Sequence, residues 1–354
     1  LKVLHVNYYD VKGGAAKAAS RLHHGMLNEG IDSQMLVIGK NSADDTVIRA
    51  GGHWLQTALY FKQRLELILL KMQKTSNNMP HSLNLFASGL DKQINALKPD
   101  IVNLHWIAGA MLSFRELANI NAPIVWTLHD SWAYTGTEHY HLNGCARFRE
   151  GYTGGNRMPG DSGLDIDRWT WRQKRSAWQN LQLTAVGPSQ WITDEAKASV
   201  LLKAKNVVNI HNGLDLETFK PADRAAARRR LGLPPERKII MFGAFSLSDS
   251  NKGGSELFKI IDLLKKTYQE PFELLLMGNK STEYAFDGIN VNCTGYLEKD
   301  EDIAAVYAAA DVFILPSKLD NLPNMLVEAI ACGVPCVAFN TGGIPDIITH
   351  KFNG

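Results

Sequence analysis

The chain has 354 residues, 45% apolar and 21% charged, which is long for one doubly wound domain and suits two of about 150 residues, each with its own core. Lysine plus arginine (38) barely exceeds aspartate plus glutamate (36), so the composition excludes a nucleic-acid footprint spread over the molecule, and any basic partner surface must be local. No apolar run reaches the roughly eighteen residues a membrane-spanning helix needs, and the first residues lead straight into a strand pattern, which predicts neither a spanning segment nor a signal peptide.

Four cysteines, Cys145, Cys293, Cys332 and Cys336, show no even framework, which predicts a reducing compartment with the cytoplasm as the default. Cys332 and Cys336 flank an apolar turn with no histidine nearby and read as small buried thiols, not metal ligands.

In chain order, Val- and Ile-rich runs at 3–7, 33–38, 101–105, 124–129 and 183–186 alternate with helical stretches. This is the pattern of a parallel sheet covered by helices on both faces. Gly13 and Gly14, with Lys12 before them, sit between the first strand and a helix. Glycines there let backbone N–H groups approach an anion at the helix start, or simply make a tight turn. The third glycine and later acid of a dinucleotide fingerprint are missing, so NAD is not indicated.

From 54 to 74 the apolar residues Trp54, Ala58, Phe61, Leu65, Ile68 and Met72 recur at helical spacing beside Lys62, Arg64, Lys71 and Lys74. Such a helix either lies in an anionic membrane interface or packs this stripe on the first sheet. Turn residues and a proline stop at 211–221 place a domain boundary there, giving domains 1–213 and 214–354. Arg228, Arg229 and Arg230 read as a solvated helix end near the negative pole of its dipole.

A second alternating set follows, with strands at 238–242, 272–277, 291–294, 312–315 and 335–339 and helices near 255–268, 303–309 and 325–332. Lys252, Gly253 and Gly254 open the first of these helices, where a lysine can neutralise a diphosphate or be a plain loop residue. After the fourth strand comes Asp320-Asn321-Leu322-Pro323-Asn324, with Glu328 roughly one turn into the next helix. Pro323 or Asn324 suits the first helical turn, and two acids at the sheet's carboxyl edge suit a nucleotide sugar. The runs Asp165-Ile166-Asp167 and Asp300-Glu301-Asp302 resemble metal-diphosphate motifs, but acids at a helix start need no metal.

Together these residues resemble the group 1, retaining, E-x7-E family of GT-B glycosyltransferases across nearly the whole chain. Asp320 to Glu328 matches the signature with Asp in the first acidic position, and Gly342-Gly343-Ile344-Pro345-Asp346 matches its ending. Further matches are Pro99-Asp100-Ile101-Val102-Asn103-Leu104-His105-Trp106, Trp126-Thr127-Leu128-His129-Asp130, Pro188-Ser189-Gln190-Trp191 and Asn212-Gly213-Leu214-Asp215, and the segment 126–140 is similar to members that build bacterial surface polysaccharides.

The resemblance implies an α/β GT-B fold of two Rossmann-like domains facing across a cleft, acceptor side first and donor side second. It implies transfer of a sugar from a nucleotide-diphosphate donor to a glycan or lipid-linked acceptor, with no metal and no cofactor. Lys252 would meet the diphosphate, Glu328 the ribose, and Asp320 with Asn321, Leu322, Pro323 and Asn324 the sugar. His129 would lie near the transferred sugar, Tyr296 and Leu297 against the base, and Gly243, Gly13 and Gly14 beside donor or acceptor phosphate. The cytoplasmic face of a membrane is the expected location.

Three departures stand out. The loop Ala244-Phe245-Ser246-Leu247 lacks the basic residue often found upstream of the lysine. Only Cys145 remains of the cysteines often found after His129-Asp130. The family pattern also continues past Gly354, so the second sheet is expected to lack its last elements. A non-catalytic sugar-nucleotide binder or partner subunit is the rival reading.

Overall fold

The computed structural model of the chain describes residues 1–243, 251–278, 286 and 288–354. These form two compact units, Leu1–Gly213 and Leu214–Gly354.

The first unit runs β1 (Lys2–Tyr9), α1 (Gly14–Asn28), β2 (Asp32–Gly39), β3 (Val47–Arg49), α2 (His53–Leu70), β4 (Gln73–Lys74), α3 (Leu90–Ala96), β5 (Ile101–Leu104), β6 (Ile124–Thr127), α4 (Arg147–Glu150), β7 (Ser162–Gly163), α5 (Ile166–Trp178), β8 (Leu183–Gly187), α6 (Gln190–Ala198) and β9 (Asn206–Asn209). Seven strands form a parallel sheet in the order β3-β2-β1-β5-β6-β8-β9, and β4 pairs with β7 antiparallel. The second unit runs α7 (Arg224–Leu231), β10 (Lys238–Gly243), α8 (Gly254–Thr267), β11 (Phe272–Met277), β12 (Val291–Gly295), α9 (Asp300–Ala309), β13 (Val312–Leu315), α10 (Asn324–Ala331) and β14 (Cys336–Ala338). Its five strands are parallel in the order β12-β11-β10-β13-β14.

Local chemistry explains the element boundaries. Asp165 caps α5 by accepting from Arg168 N, Ser189 caps α6 by accepting from Ile192 N, and Asp223 caps α7 by accepting from Ala225 N and Ala226 N. Gly232 ends α7 in the left-handed conformation, as a C-terminal glycine should. On α1 the small residues Ala16, Ala18 and Ala19 are buried, which lets the helix lie close to the sheet.

In each sheet the chain moves outward from its first strand in one direction and then crosses back to build the other side. The strand order therefore reverses between β1 and β5 and again between β10 and β13. Ligands of open parallel sheets bind beyond the carboxyl ends of the strands at such a reversal. The expected site segments follow β1, β5 and β6 in one unit and β10 and β13 in the other.

One open alternative is decided by the fold, and one sequence reading needs correction. The apolar stripe of α2 does not pack on the sheet: Trp54, Phe61, Leu65 and Ile68 are exposed, as is Met72 just beyond the helix, while Leu59 and Glu66 on the opposite face are buried. Glu66 is kept there by the Asn84 and Leu85 amides, which donate to its carboxylate. Arg228 is not a solvated helix end. It is buried, and donates to the carbonyls of Ala309 and Pro235 and to Asp311 Oδ2 at 2.6 Å. Among its neighbours, Arg230 pairs with Asp302 at the start of α9.

Candidate active site

The second unit gathers the Lys252 turn and the Asp320 loop at one place. Lys252 Nζ donates to Asp320 Oδ2 at 2.6 Å, so the two groups read separately in the sequence are an ion pair. The turn is laced to the loop by backbone contacts. Lys318 N donates to Asn251 O at 2.8 Å, and Gly253 sits at φ +73 with its α-carbon against Pro316, where a Cβ would stand 1.8 Å from the carbonyl oxygen. Only glycine fits both the conformation and the space.

The other side of the loop is held in the same way. Gly343 N donates to Asp320 O at 3.0 Å, and a Cβ on Gly342, whose φ is +56, would fall 2.0 Å from that same oxygen. Asp320, Asn321 and Leu322 are consequently buried. Pro323 caps α10 in an extended conformation, and Asn324 begins the helix. α8 and α10 thus both start at the strand-order reversal, where the partial positive charge of a helix N-terminus favours an anion.

Glu328 lies one turn into α10, buried, with its Oε2 accepting from the Tyr307 hydroxyl at 2.9 Å. Gly243 ends β10 beneath Met325, whose Cε would meet a Cβ at 1.8 Å. Tyr296 is exposed, and Leu297 lines a cavity of about 380 Å³ with Leu275 and Val306. The segment Ala244 to Leu247 lies outside the described residues.

In the first unit, Gly13 caps α1 at φ +97, and both Gly13 and Gly14 are exposed at the carboxyl end of β1. His129 follows β6 and joins a row of imidazoles. Its Nε2 lies 3.0 Å from His105 Nδ1, and His105 Nε2 lies 3.1 Å from His5 Nδ1. Burial pushes the His129 and His5 imidazoles down to about 4 and about 3 and drives His105 well below its ordinary value. All three are neutral at pH 7.

Asp130, next to His129, holds a second network. Its Oδ2 accepts from Trp106 Nε1 at 3.0 Å and lies 2.6 Å from His139 Nδ1, while Oδ1 accepts from Trp132 N. Burial opposes ionisation of Asp130, but the charge and hydrogen bond of His139 and the Trp132 amide bring its carboxyl below the usual range. Beside this network, Tyr8, Tyr9, Gln63, His81, Ser82 and Trp106 wall a cavity of about 310 Å³, within the size of small-molecule pockets.

The acidic runs are occupied by protein groups. Asp165 pairs with Arg147 at 2.6 Å, and Asp167 accepts from Gln73 and Thr137. Among the described residues, one cluster has metal-ligand spacing: His23, His24 and Asp44, with ligand atoms within 4.8 Å of one another. Both nitrogens of His23 already face hydroxyls, Ser33 at 2.7 Å and Thr46 at 2.8 Å, and Asp44 binds Thr46, which makes it a closed hydrogen-bond network. His5, Tyr307 and His139 were not singled out from the sequence, and Asn103 entered only inside the matched stretch 99–106. A polar residue inside an apolar strand or helix gives no sign of its partner until the strands are paired.

Comparisons with known proteins agree with this architecture. The model of glycosyltransferase family 4 matches residues 12–218, more than half of the chain, and that of group 1 glycosyl transferases matches residues 236–354. A D-inositol 3-phosphate glycosyltransferase of Mycobacterium sp. (strain KMS) is 33% identical over 201 residues, covering 49% of this chain and 43% of that protein. The chain thus spans less than half the length of such curated relatives. A glycosyltransferase of Haemophilus influenzae is 23% identical over 352 residues, covering 97% of this chain and 81% of that protein. Among solved structures, Anabaena HepE in complex with UDP and glucose superposes with a TM-score of 0.62 at 16% identity, covering 100% of this chain and 84% of that one. The matched family models and the two parallel sheets lead to one assignment: the chain belongs to the group 1, family 4 glycosyltransferases of GT-B fold.

Proposed function

We propose that the protein transfers a sugar, with retention, from a nucleotide-diphosphate donor to a glycan or lipid-linked acceptor in bacterial polysaccharide assembly. The observation that carries this reading is the Lys252–Asp320 pair between two helix starts at the strand-order reversal. An ammonium and exposed amides meet the charge that builds on the departing diphosphate, so the reaction runs without a metal. Asp320 and Glu328 serve sugar and ribose hydroxyls as acceptors, and the acceptor hydroxyl attacks on the face the diphosphate leaves, its proton passing to a leaving oxygen. The protein contributes placement and charge complementarity, with no covalent nucleophile.

His129 meets a hydroxyl of the sugar substrate, and the aromatic-walled cavity beside Trp106 receives the acceptor saccharide. The relatives support the donor class, since HepE has been solved with UDP and with UDP-glucose. The outward stripe of α2 with Lys62, Arg64, Lys71 and Lys74 supports seating on an anionic lipid surface. No described helix is long and apolar enough to cross a membrane.

The test is a screen of nucleotide sugars by thermal shift, followed by donor hydrolysis and transfer with the hit. A donor that stabilises the protein and is turned over in a Lys252-dependent way supports transfer. Binding without turnover toward any glycan or lipid-linked acceptor favours a sugar-nucleotide binder instead.

A further inference from the structure

The row His129–His105–His5 has a consequence beyond placement of one imidazole. A neutral imidazole carries one proton, so when one nitrogen donates the other must accept. Two rings hydrogen-bonded in line therefore cannot choose tautomers independently, and neither can three. Here the links are His129 Nε2 to His105 Nδ1 at 3.0 Å and His105 Nε2 to His5 Nδ1 at 3.1 Å. His129, just beyond β6, is thereby bound to His5 on β1, since β1, β5 and β6 are neighbours in the sheet.

The row has a polarity, and its far end sets it. Asn103 Nδ2 lies 3.4 Å from His5 Nδ1, and Asn103 Oδ1 accepts from the Thr127 hydroxyl at 3.1 Å. An amide nitrogen can only donate, so His5 Nδ1 is an acceptor. His105 Nε2 must then carry a proton and donate to it, which leaves His105 Nδ1 as an acceptor and makes His129 Nε2 a donor. His129 Nδ1 is left with its lone pair. The arrangement leaves His5 Nε2 protonated, and this nitrogen is buried and has no partner among the described residues. An unpaired buried nitrogen there costs stability in either direction of the row, as a donor or as an acceptor.

We propose that Thr127 and Asn103 act as positioning residues which, through His5 and His105, fix the tautomer of His129 so that its Nδ1 accepts a hydrogen bond from a sugar hydroxyl. This rests on the sugar-transfer reading for its use, but not for the tautomers themselves. A fixed acceptor favours a donating hydroxyl over a group that can only accept, and so gives the site a preference before substrate arrives.

The test is long-range proton–nitrogen correlation NMR on histidine-labelled protein near neutral pH, with rings assigned by His5→Gln, His105→Gln and His129→Gln. Wild type is expected to show all three rings protonated on Nε2. In Asn103→Asp the carboxylate can only accept, so His5 must present Nδ1–H. The row then reverses and His129 becomes protonated on Nδ1, although residue 103 makes no hydrogen bond to it. Transfer should fall about tenfold, the worth of one hydrogen bond.

Thr127→Val, which keeps the volume but removes the donor that orients Asn103, should give mixed tautomers at all three rings and serves if the aspartate variant does not fold. A wild-type His129 protonated on Nδ1, or a change at His5 that leaves His129 as it was, overturns the proposal. Unaltered transfer in His129→Ala, with the tautomers as stated, would remove the sugar contact and leave the row intact.

Discussion

Acidification should unfold the first unit earlier than carboxylate titration alone would. Burial lowers the imidazoles of His5 to about 3 and of His23 and His129 to about 4, and pushes His105 well down. All four have an ordinary value of 6.5, so in the unfolded chain they take up protons as pH falls through that value, whereas in the fold His23 and His129 stay neutral down to about 4, His5 down to about 3, and His105 well below the ordinary value. Their stability is therefore complete above about pH 6.5 and is lost between there and the folded values. Glu138 works in the opposite sense. Burial and the nearby Asp167 charge raise it to about 7, so the folded state holds its proton first. Four imidazoles against one carboxyl leave a net uptake on unfolding of roughly two protons at about pH 6, rising to roughly three at about pH 5. At about 1.4 kcal/mol per proton per pH unit, this costs about 3–4 kcal/mol. The assay is urea denaturation followed by tryptophan fluorescence at pH 7, 6, 5.5 and 5. With urea slopes of about 1–3 kcal/mol/M, the midpoint should drop by on the order of 1 M across the last unit. An unchanged midpoint between pH 7 and 5 would refute the neutral buried state of these histidines.

Three further outcomes are expected. Lys252→Ala should lower turnover at saturating donor by about 2–4 kcal/mol in the transition state, some thirty- to thousandfold, and unaltered turnover would remove the lysine from the chemistry. Gly342→Ala, placing a Cβ against Asp320 O at φ +56, should lower the melting temperature by several degrees, whereas Gly25→Ala, with nothing within 4 Å in the last turn of α1, should raise stability by about 0.5–1 kcal/mol. Equal melting shifts would show that the Asp320 contact does not matter. The combined Phe61→Ser, Leu65→Ser and Ile68→Ser variant should lose flotation with anionic vesicles while keeping its melting temperature, because those side chains are exposed; flotation that persists, or that ignores anionic lipid, counts against lipid seating through α2.

Much of the fold was legible because buried parallel strands are apolar throughout and leave an unmistakable alternation with helices. The edge strands Val47–Arg49 and Asn206–Asn209 escaped notice, since short edges need less burial and carry less signal. Lys252, Asp320 and Glu328 could be read from motif and spacing. Their pairing could not: whether a lysine reaches an aspartate 68 positions away depends on which strands adjoin. The same holds for the histidine row, whose members come from β1 and from just beyond the ends of β5 and β6. Arg228 was misread because helical charge runs are usually solvated, and its partners Ala309 and Asp311 belong to a segment distant in sequence. The outward stripe of α2 was an open question, since spacing gives a face but not its direction.

The segment from Pro316 to Asp320 is gripped from both flanks, with Gly253 abutting one carbonyl and Gly342 the other. A strip of main chain clasped this closely has no room to adapt to a guest, so if it meets the donor sugar as proposed, discrimination among sugars there comes from a mould already cast. On that reading, efforts to redirect donor choice should leave the clasp untouched.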